Sequence, residues 1–438
     1  MNFPNSGWMI FTGVLHYLIG KIGGELVNSR GGNMEDTYGN VIGSLAQANE
    51  KRVVLLVMDG VGDCDNNGEG TPLQIADTPN LDELAGTAAL GQTIPVAVGI
   101  TPGSGPGHLG LFGYDPLIYK VGRGVLSALG IEFPLERTDV AARLNFCTLD
   151  VEGKVTDRRA GRISDEVNRL VLQKIRDNIE PPAGIEVLFE TVSEHRALMV
   201  LRGEDLDDNI GDTDPQTLGV EPLDPARGPH SDSRTARIAR EVLNQINEIL
   251  ADEDQANMVL SRGYAKFPDW PRFPDRYQVD PVAVAGYPMY RGVARLVGIP
   301  VFSQPTTAAD ICEETVKAME DHTFVFSHFK YTDKTGEDGD LNAKVKRIEE
   351  MDAALPSLLD ADPDVLLITG DHSTPVSLKA HSWHPVPLLM KAPYLRGGSA
   401  GQTFDEISCR KGELGTIKAK ELMPLAMAHT GKLAKYGA

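Results

Sequence analysis

Residues 101–116 read Thr-Pro-Gly-Ser-Gly-Pro-Gly-His-Leu-Gly-Leu-Phe-Gly-Tyr-Asp-Pro, which places one hydroxyl, Ser104, among glycines and prolines just ahead of an apolar, helix-like stretch. Glycine admits backbone conformations closed to other residues, and a helix N-terminus offers free N–H groups to an anion. Such a segment can present a nucleophile, although a lone Gly-x-Ser also reads as a connecting loop. Far from it in the chain, Asp59, Asp333, Glu337, Asp371, His372 and His381 fall in or just after expected strand-end loops. Mixed carboxylates and imidazoles suit manganese, zinc or magnesium-like divalent ions. Six such groups and a serine exceed what one ion requires. A two-metal site fits them, one ion lowering the pKa of the serine hydroxyl and the other gripping phosphate oxygens. The ions would also let acid-rich walls receive an anion by reversing the local sign of charge.

Basic groups complete the set. Arg158, Arg159 and Arg162 lie in Asp157-Arg-Arg-Ala-Gly-Arg-Ile163, and Arg123, Arg262 and Arg291 each precede a glycine. The chain holds 42 Lys+Arg against 62 Asp+Glu, a formal net charge of −20. In so acidic a protein these arginines are better explained by bidentate anion capture than by surface salt bridges, which contribute little. Together the residues point to phosphoryl transfer through a phosphoserine. The chain has no Walker A loop and no kinase loop set, so ATP is not the expected donor.

Three segments must position this chemistry. Arg52–Asp59, Thr323–Phe329 with its continuation to Asp333, and Asp364–His372 are aliphatic or β-branched runs that end in acids. Such runs predict strands buried on both faces. Between the last two, residues 342–359 carry helical spacing and no glycine. Strand, helix, strand implies a parallel α/β sheet, and ligands bind such sheets beyond the carboxyl ends of the strands. Any one of the three acids could be a turn aspartate; three at three strand ends are harder to explain so. Residues 131–290 differ. Short strand-like runs (140–149, 185–189, 196–201, 281–284) alternate with Asp/Pro/Gly-rich loops, which predicts an inserted α+β domain that binds substrate. Residues 51–130 and 291–438 then form the metal-binding core.

At 438 residues the chain has room for two or three domains. Its negative charge excludes nucleic acid and anionic membranes as main partners. Cys64, Cys147, Cys312 and Cys409 are far apart, with no Cys-x-x-Cys pair, which fits a reducing, cytoplasmic setting. Trp8–Gly20 is apolar but too short to span a bilayer and lacks the basic lead of a signal peptide. Residues 1–50 are expected to be a poorly ordered extension, with Met34 as an alternative start and an interfacial anchor helix as the competing reading. Monomer and homo-oligomer are both left open.

These motifs, in this order, resemble the cofactor-independent phosphoglycerate mutases of the archaeal type, within the alkaline phosphatase superfamily. The resemblance runs from about residue 52 to the C-terminus. It rests on Met58-Asp-Gly60, Thr71-Pro-Leu-Gln-Ile-Ala-Asp-Thr-Pro-Asn-Leu-Asp82, the Ser104 segment, Gly122-Arg-Gly124, Asp157-Arg-Arg-Ala-Gly-Arg162, Asp212-Thr-Asp-Pro215, Gly370-Asp-His-Ser-Thr-Pro375 and His381 followed by Pro385-Val-Pro387. It implies interconversion of 3-phosphoglycerate and 2-phosphoglycerate, with Ser104 taking and returning the phosphoryl group and no 2,3-bisphosphoglycerate required. Asp59, Ser104, Asp371 and His372 would hold one ion; Asp333, Glu337 and His381 the other. His108 would lie near the transferring group as a hydrogen-bonding or acid–base residue, and Arg123, Arg158, Arg159, Arg162, Arg262 and Arg291 would hold phosphate and carboxylate. Family members commonly have histidine where this chain has Glu337. A harder oxygen there favours manganese or magnesium over zinc, unless Asp338 or Asp340 takes the place. Gly105-Pro-Gly107 replaces a more usual Asp-x-Ala, Arg291 stands where lysine is often found, and His384 replaces a small or acidic residue. The alternatives are a phosphatase or homoserine-kinase-like phosphotransferase of the same fold, or a metal-stabilised binding protein without turnover.

Overall fold

The computed structural model describes residues 36–65, 68–395 and 402–437. In it the aliphatic run after Arg52 forms strand β1 (Val53–Met58), with every side chain buried. Val53, Leu55 and Val57 pack into one core and Val54, Leu56 and Met58 into another, so this strand is covered on both faces. The remaining strands are β2 (Ala89–Ile94), β3 (Val140–Leu149), β4 (Val155–Asp157), β5 (Ile185–Ser193), β6 (Arg196–Gly203), β7 (Met258–Ala265), β8 (Pro281–Ala285), β9 (Val301–Ser303), β10 (Phe324–Phe329), β11 (Val365–Thr369), β12 (Val386–Lys391) and β13 (Gly415–Lys418).

Eight of them make one sheet in the order β13-β2-β12-β11-β1-β10-β8-β9. From β11 to β9 all neighbours are parallel; β12 is antiparallel to both its neighbours. Met58 lies opposite Phe329 and Val57 opposite Thr369, so β1, β10 and β11 end side by side at one edge. The helix Leu341–Asp360 returns the chain from β10 to β11. Asp340 caps it by accepting from the Ala343 amide at 2.9 Å.

The other five strands form an antiparallel sheet, β4-β3-β6-β5 with β7 on the free side of β3. Val140, Ala142, Leu144 and Phe146 of β3 face a core shared with the helices Asp165–Asn178 and Arg234–Leu250. Ala141 on the opposite face, with Leu198 and Val200 of β6, packs with the helices Arg123–Gly130 and Pro288–Leu296 into a core that also contains Leu55 of β1. Both sheets belong to one compact unit, residues 38–438.

Two boundaries differ from expectation. Pro281–Val284 belongs to the first sheet, where β8 pairs in parallel with β10; a short, wholly buried apolar strand carries no local mark of which sheet will take it. Residues 1–35 lie outside the described residues, but the rest of the expected extension is ordered. Thr37–Leu45 is helical, Ala46 bridges to Leu433, and Gln47 and Asn49 donate to carbonyls of Gly431 and Thr430. The four cysteines are free. Among the described residues no helix is long and apolar enough to cross a membrane.

Two glycines set the spacing at the strand ends. Gly60 follows Asp59 with φ +61°, and a Cβ there would lie 2.4 Å from Thr374 Oγ1. Gly107, in the helix Ser104–Leu111, lies against the main chain of Asp371; a Cβ would meet the Asp371 carbonyl oxygen at 2.3 Å. Gly107→Ala must push the helix away and is expected to cost about 1–3 kcal/mol of stability, read as a lower urea midpoint in equilibrium unfolding.

Candidate metal centre and nucleophile

The strand ends gather the expected acids. Asp59 follows β1, Asp371 and His372 follow β11, and Asp333 lies in the helix Tyr331–Asp338 that follows β10. Two groups have ligand atoms close enough to hold an ion: Asp59, Asp371 and His372, and Asp333, His372 and His381. All but His381 are fully buried, and His381 is partly so. Ser104 occupies the first turn of its helix, with Oγ 3.3 Å from His372 Nε2.

Hydrogen bonds assign the imidazole nitrogens. Thr374 Oγ1 donates its one proton to Asp333 Oδ1 at 2.6 Å, so the His372 Nδ1–H donates to Thr374 Oγ1 at 3.0 Å. His372 Nε2 then presents a lone pair 3.4 Å from Asp59 Oδ1 and 3.3 Å from Asp371 Oδ2. Burial pushes the His372 pKa down to about 3, keeping the ring neutral and able to ligate. His381 Nδ1 donates to the Pro102 carbonyl at 3.0 Å, which turns Nε2 toward Asp333 Oδ1 at 3.5 Å and Glu337 Oε1 at 3.9 Å. With His372 Nδ1 spent on Thr374, Glu337 is the nearest further acid for the Asp333–His381 side. Asp340 is spent as a helix cap; Glu337 and Asp338 are both exposed, and Glu337 is the one with an oxygen near His381.

The donor set fits divalent ions. Asp59 Oδ1 is buried without a hydrogen bond among the described residues, and Asp371 Oδ2 faces His108 Nδ1 at 3.2 Å, a nitrogen it shares with the Ser104 carbonyl; carboxylate oxygens so thinly compensated are costly to bury. They converge with a neutral imidazole and a hydroxyl, which is the donor chemistry of such a site. Two lysines hold the frame. Lys344, fully buried, donates to the carbonyls of Gly60, Gly62 and Thr374 and pairs with Asp63 at 2.9 Å, which ties the loops after β1 and β11 together. Lys330 contacts Asp59 Oδ2 at 3.2 Å, Asp333 Oδ2, and the Tyr290 hydroxyl at 2.9 Å.

His108 differs from its expected place. Its ring is wholly buried beneath the nucleophile helix, with Nδ1 at 2.8 Å from the Ser104 carbonyl oxygen and 3.2 Å from Asp371 Oδ2. Burial opposes its protonation, but Asp371 outweighs that and pushes its pKa up. It therefore braces main chain and a carboxylate, and its contacts do not include the serine hydroxyl.

The arginines divide. Arg158 is spent on Asp214 in a bidentate pair at 2.9 and 2.7 Å. Arg291 is spent on the carbonyls of Gly130 and Gly286. Both already have nonlocal acceptors, which engage part of each guanidinium's five N–H donors. Arg262 keeps only longer contacts, 3.3 Å to Asp214 and 3.9 Å to Asp212. Arg143 of β3 lies opposite Arg262 of β7, and Arg196 of β6 lies opposite Asn145. Strand alternation puts all three on the face toward the first sheet. Burial, then Arg123, Arg196 and Arg262, push the Arg143 pKa down to about 9, and its Nε is buried without a hydrogen-bond partner among the described residues. Like charges opposed across strands destabilise, and a bound anion would relieve that repulsion. His195 belongs to it: burial and the charges of Arg196, Arg159, Arg143 and Arg162 push its pKa down to about 3. Tyr287 links the cluster to the centre, since it acts on Arg143 and its ring lies 5.8 Å from Lys330 Nζ. Arg159 and Glu337 also act on each other.

Sequence reasoning missed Arg143, Arg196, His195, Lys330, Lys344 and Thr374. Arg143 had a usable signal, the one charge inside a mostly apolar ten-residue strand. Lys330 had another, a cation directly after a fully buried strand.

Comparison with known proteins adds relatives. Residues 51–429 match the Metalloenzyme superfamily. A probable 2,3-bisphosphoglycerate-independent phosphoglycerate mutase of Thermus thermophilus is 50% identical over 403 residues, which cover 91% of this chain and 99% of that protein. Among solved structures, the PH0037 protein of Pyrococcus horikoshii matches with a TM-score of 0.76 at 28% identity, over 89% of this chain and 100% of that one. The cofactor-independent phosphoglycerate mutase of Thermoplasma acidophilum matches at 0.63 and 30% identity, over 86% and 99%.

If Glu337 completes the Asp333–His381 side, chelator-treated protein titrated calorimetrically with Mn2+ takes up about two equivalents. Glu337→Ala and His381→Ala should each lose one of them, whereas Ser104→Ala should still bind both, one more weakly.

Proposed function

The chain belongs to the 2,3-bisphosphoglycerate-independent phosphoglycerate mutases of the Metalloenzyme superfamily, and on that premise we propose that it interconverts 3-phosphoglycerate and 2-phosphoglycerate through a phosphoserine at Ser104. The observation that carries this is the serine hydroxyl 3.3 Å from His372 Nε2, at a helix N-terminus and beside the converging aspartates. In the first half-reaction Ser104 Oγ attacks phosphorus and the bond to the glycerate oxygen breaks. In the second, the other glycerate hydroxyl attacks phosphoserine and the bond to Oγ breaks. A phosphoryl group and a proton have exchanged places, so no bisphosphoglycerate enters.

Asp59, Ser104, Asp371 and His372 would hold one ion and Asp333, Glu337 and His381 the other. When bound, such ions neutralise phosphoryl charge and lower the pKa of a hydroxyl. The oxygen-rich second set favours manganese or magnesium over zinc. Free N–H groups of the Ser104 helix face the transferring oxygens. Arg143 and Arg262, with Arg123, Arg159, Arg162 and Arg196, hold the far anionic group of the substrate. The antiparallel sheet thus acts as a substrate-binding insert over the metal-binding core. It retains glycerate and excludes water while phosphoserine persists, which separates a mutase from a phosphatase. The same reading places the enzyme in the cytoplasm, in glycolysis and gluconeogenesis.

Ser104→Ala should lower turnover by roughly 10³-fold or more in an enolase-coupled assay, and brief incubation of the native enzyme with substrate should leave a phosphopeptide containing Ser104. Release of inorganic phosphate without 2-phosphoglycerate would overturn the mutase reading. Arg143→Met should raise KM by about 10–100-fold while the metal content stays unchanged.

A further inference from the structure

Lys330 stands where the two ligand groups meet. Its ammonium touches Oδ2 of Asp59, from one group, and Oδ2 of Asp333, from the other. The remaining oxygens of both carboxylates turn toward the imidazoles: Asp59 Oδ1 lies 3.4 Å from His372 Nε2, and Asp333 Oδ1 lies 3.5 Å from His381 Nε2. This is not a surface ion pair, because the lysine side chain is 22% exposed and its partners 0% and 1%. The Tyr290 hydroxyl holds Nζ from a third side at 2.9 Å. Tyr290 is itself pinned, its ring stacked on His328 with centroids 3.7 Å apart. Nζ also lies 5.4 Å from the Tyr290 ring and 5.8 Å from that of Tyr287, within range of their negative faces.

We propose that Lys330 is a resident counter-cation of the two-ion centre, which holds the carboxylates together before ions arrive and then weakens the grip on both ions. The inference rests on reading these groups as metal sites. Two opposed effects follow from one charge. Without ions, the ammonium offsets part of the repulsion between buried aspartates that have little other cation near them. With ions, the same ammonium repels them at short range in a poorly screened site, and it occupies an oxygen of each carboxylate that an ion could otherwise share. Lys330 thus makes the ions exchangeable rather than permanently locked in.

The sign of the effect separates this role from simple bracing. A residue that only braces ligands weakens metal binding when it is removed; a competing cation strengthens it. Native protein, Lys330→Gln, Lys330→Met and Lys330→Arg are each purified with Mn2+. The affinity is read as the chelator concentration that strips half the metal, so a variant that unfolds once stripped is still measured. Gln, which keeps a donor without the charge, and Met should both hold Mn2+ about tenfold or more tightly. Arg should stay within about threefold of the native protein, since the charge is kept. Once stripped, the Gln and Met proteins should melt below the stripped native protein. Equal or weaker Mn2+ retention in Gln and Met overturns the proposal while leaving the centre intact. Native protein that retains no Mn2+ overturns the reading of the centre itself.

Discussion

Three carboxylates that repel one another, Asp59, Asp333 and Asp371, are buried together at one edge of a parallel sheet, and the surrounding structure is arranged to hold them there. Burying carboxylates is costly unless they are paired or hydrogen-bonded. Here each is given donors. Asp371 Oδ1 accepts from the Gly60 amide at 3.2 Å, Asp333 Oδ1 from Thr374, and Asp59 and Asp333 share Lys330. Opposing charge holds the Asp59 carboxyl well below its usual range despite its burial. The loops that carry these acids are themselves tied down by Lys344, whose partners are three carbonyls and one carboxylate. Asp59 Oδ1 and Asp371 Oδ2 are left facing the His372 imidazole, so the frame that stabilises these two acids also selects the faces they offer to an ion.

The antiparallel sheet answers this concentration of negative charge with one of positive charge. Arg143 and Arg262 are placed opposite each other, and the helix Arg123–Gly130 brings Arg123 alongside: a Cβ on Gly263 would meet the Arg123 amide nitrogen at 2.4 Å. Against a net charge of −20 this local reversal is what admits an anion. On the proposed reading the two opposite excesses take the two ends of one ligand, phosphoryl at the acids and carboxylate at the arginines.

Much of this was legible in residue order, and what was not has a common cause. β1, β10 and β11 show in the sequence because burial on both faces demands uninterrupted aliphatic runs, and the acids show because they follow those runs directly. The pairing of Asp59 with Asp371 and His372 was implied by the family resemblance, and the adjacency of β1 and β11 brings them together. What stayed hidden depends on partners remote in the chain. Arg158 and Arg291 look alike in the sequence, and only the fold shows that Asp214 holds the first and two main-chain carbonyls the second. His108 is set next to Ser104 by helix spacing, but whether it faces the hydroxyl or the floor depends on packing against Tyr290 and Phe326. β8 has the same small apolar pattern in either sheet, and only its pairing with β10 decides.

The close approach of Gly107 to Asp371 has a genetic reading. Every codon one base away from a glycine codon that still encodes an amino acid other than glycine encodes a side chain with a Cβ. At this position that atom meets a main-chain carbonyl and not the end of a mobile side chain. Gly60 is closed differently, by the side chains of Thr374 and Asp333 and by its positive φ. Missense variation at these two sites has no neutral first step, although neither residue supplies a functional group. Over long divergence such positions are held constant by space alone, and a survey of natural variants would mark them as strongly as the aspartates.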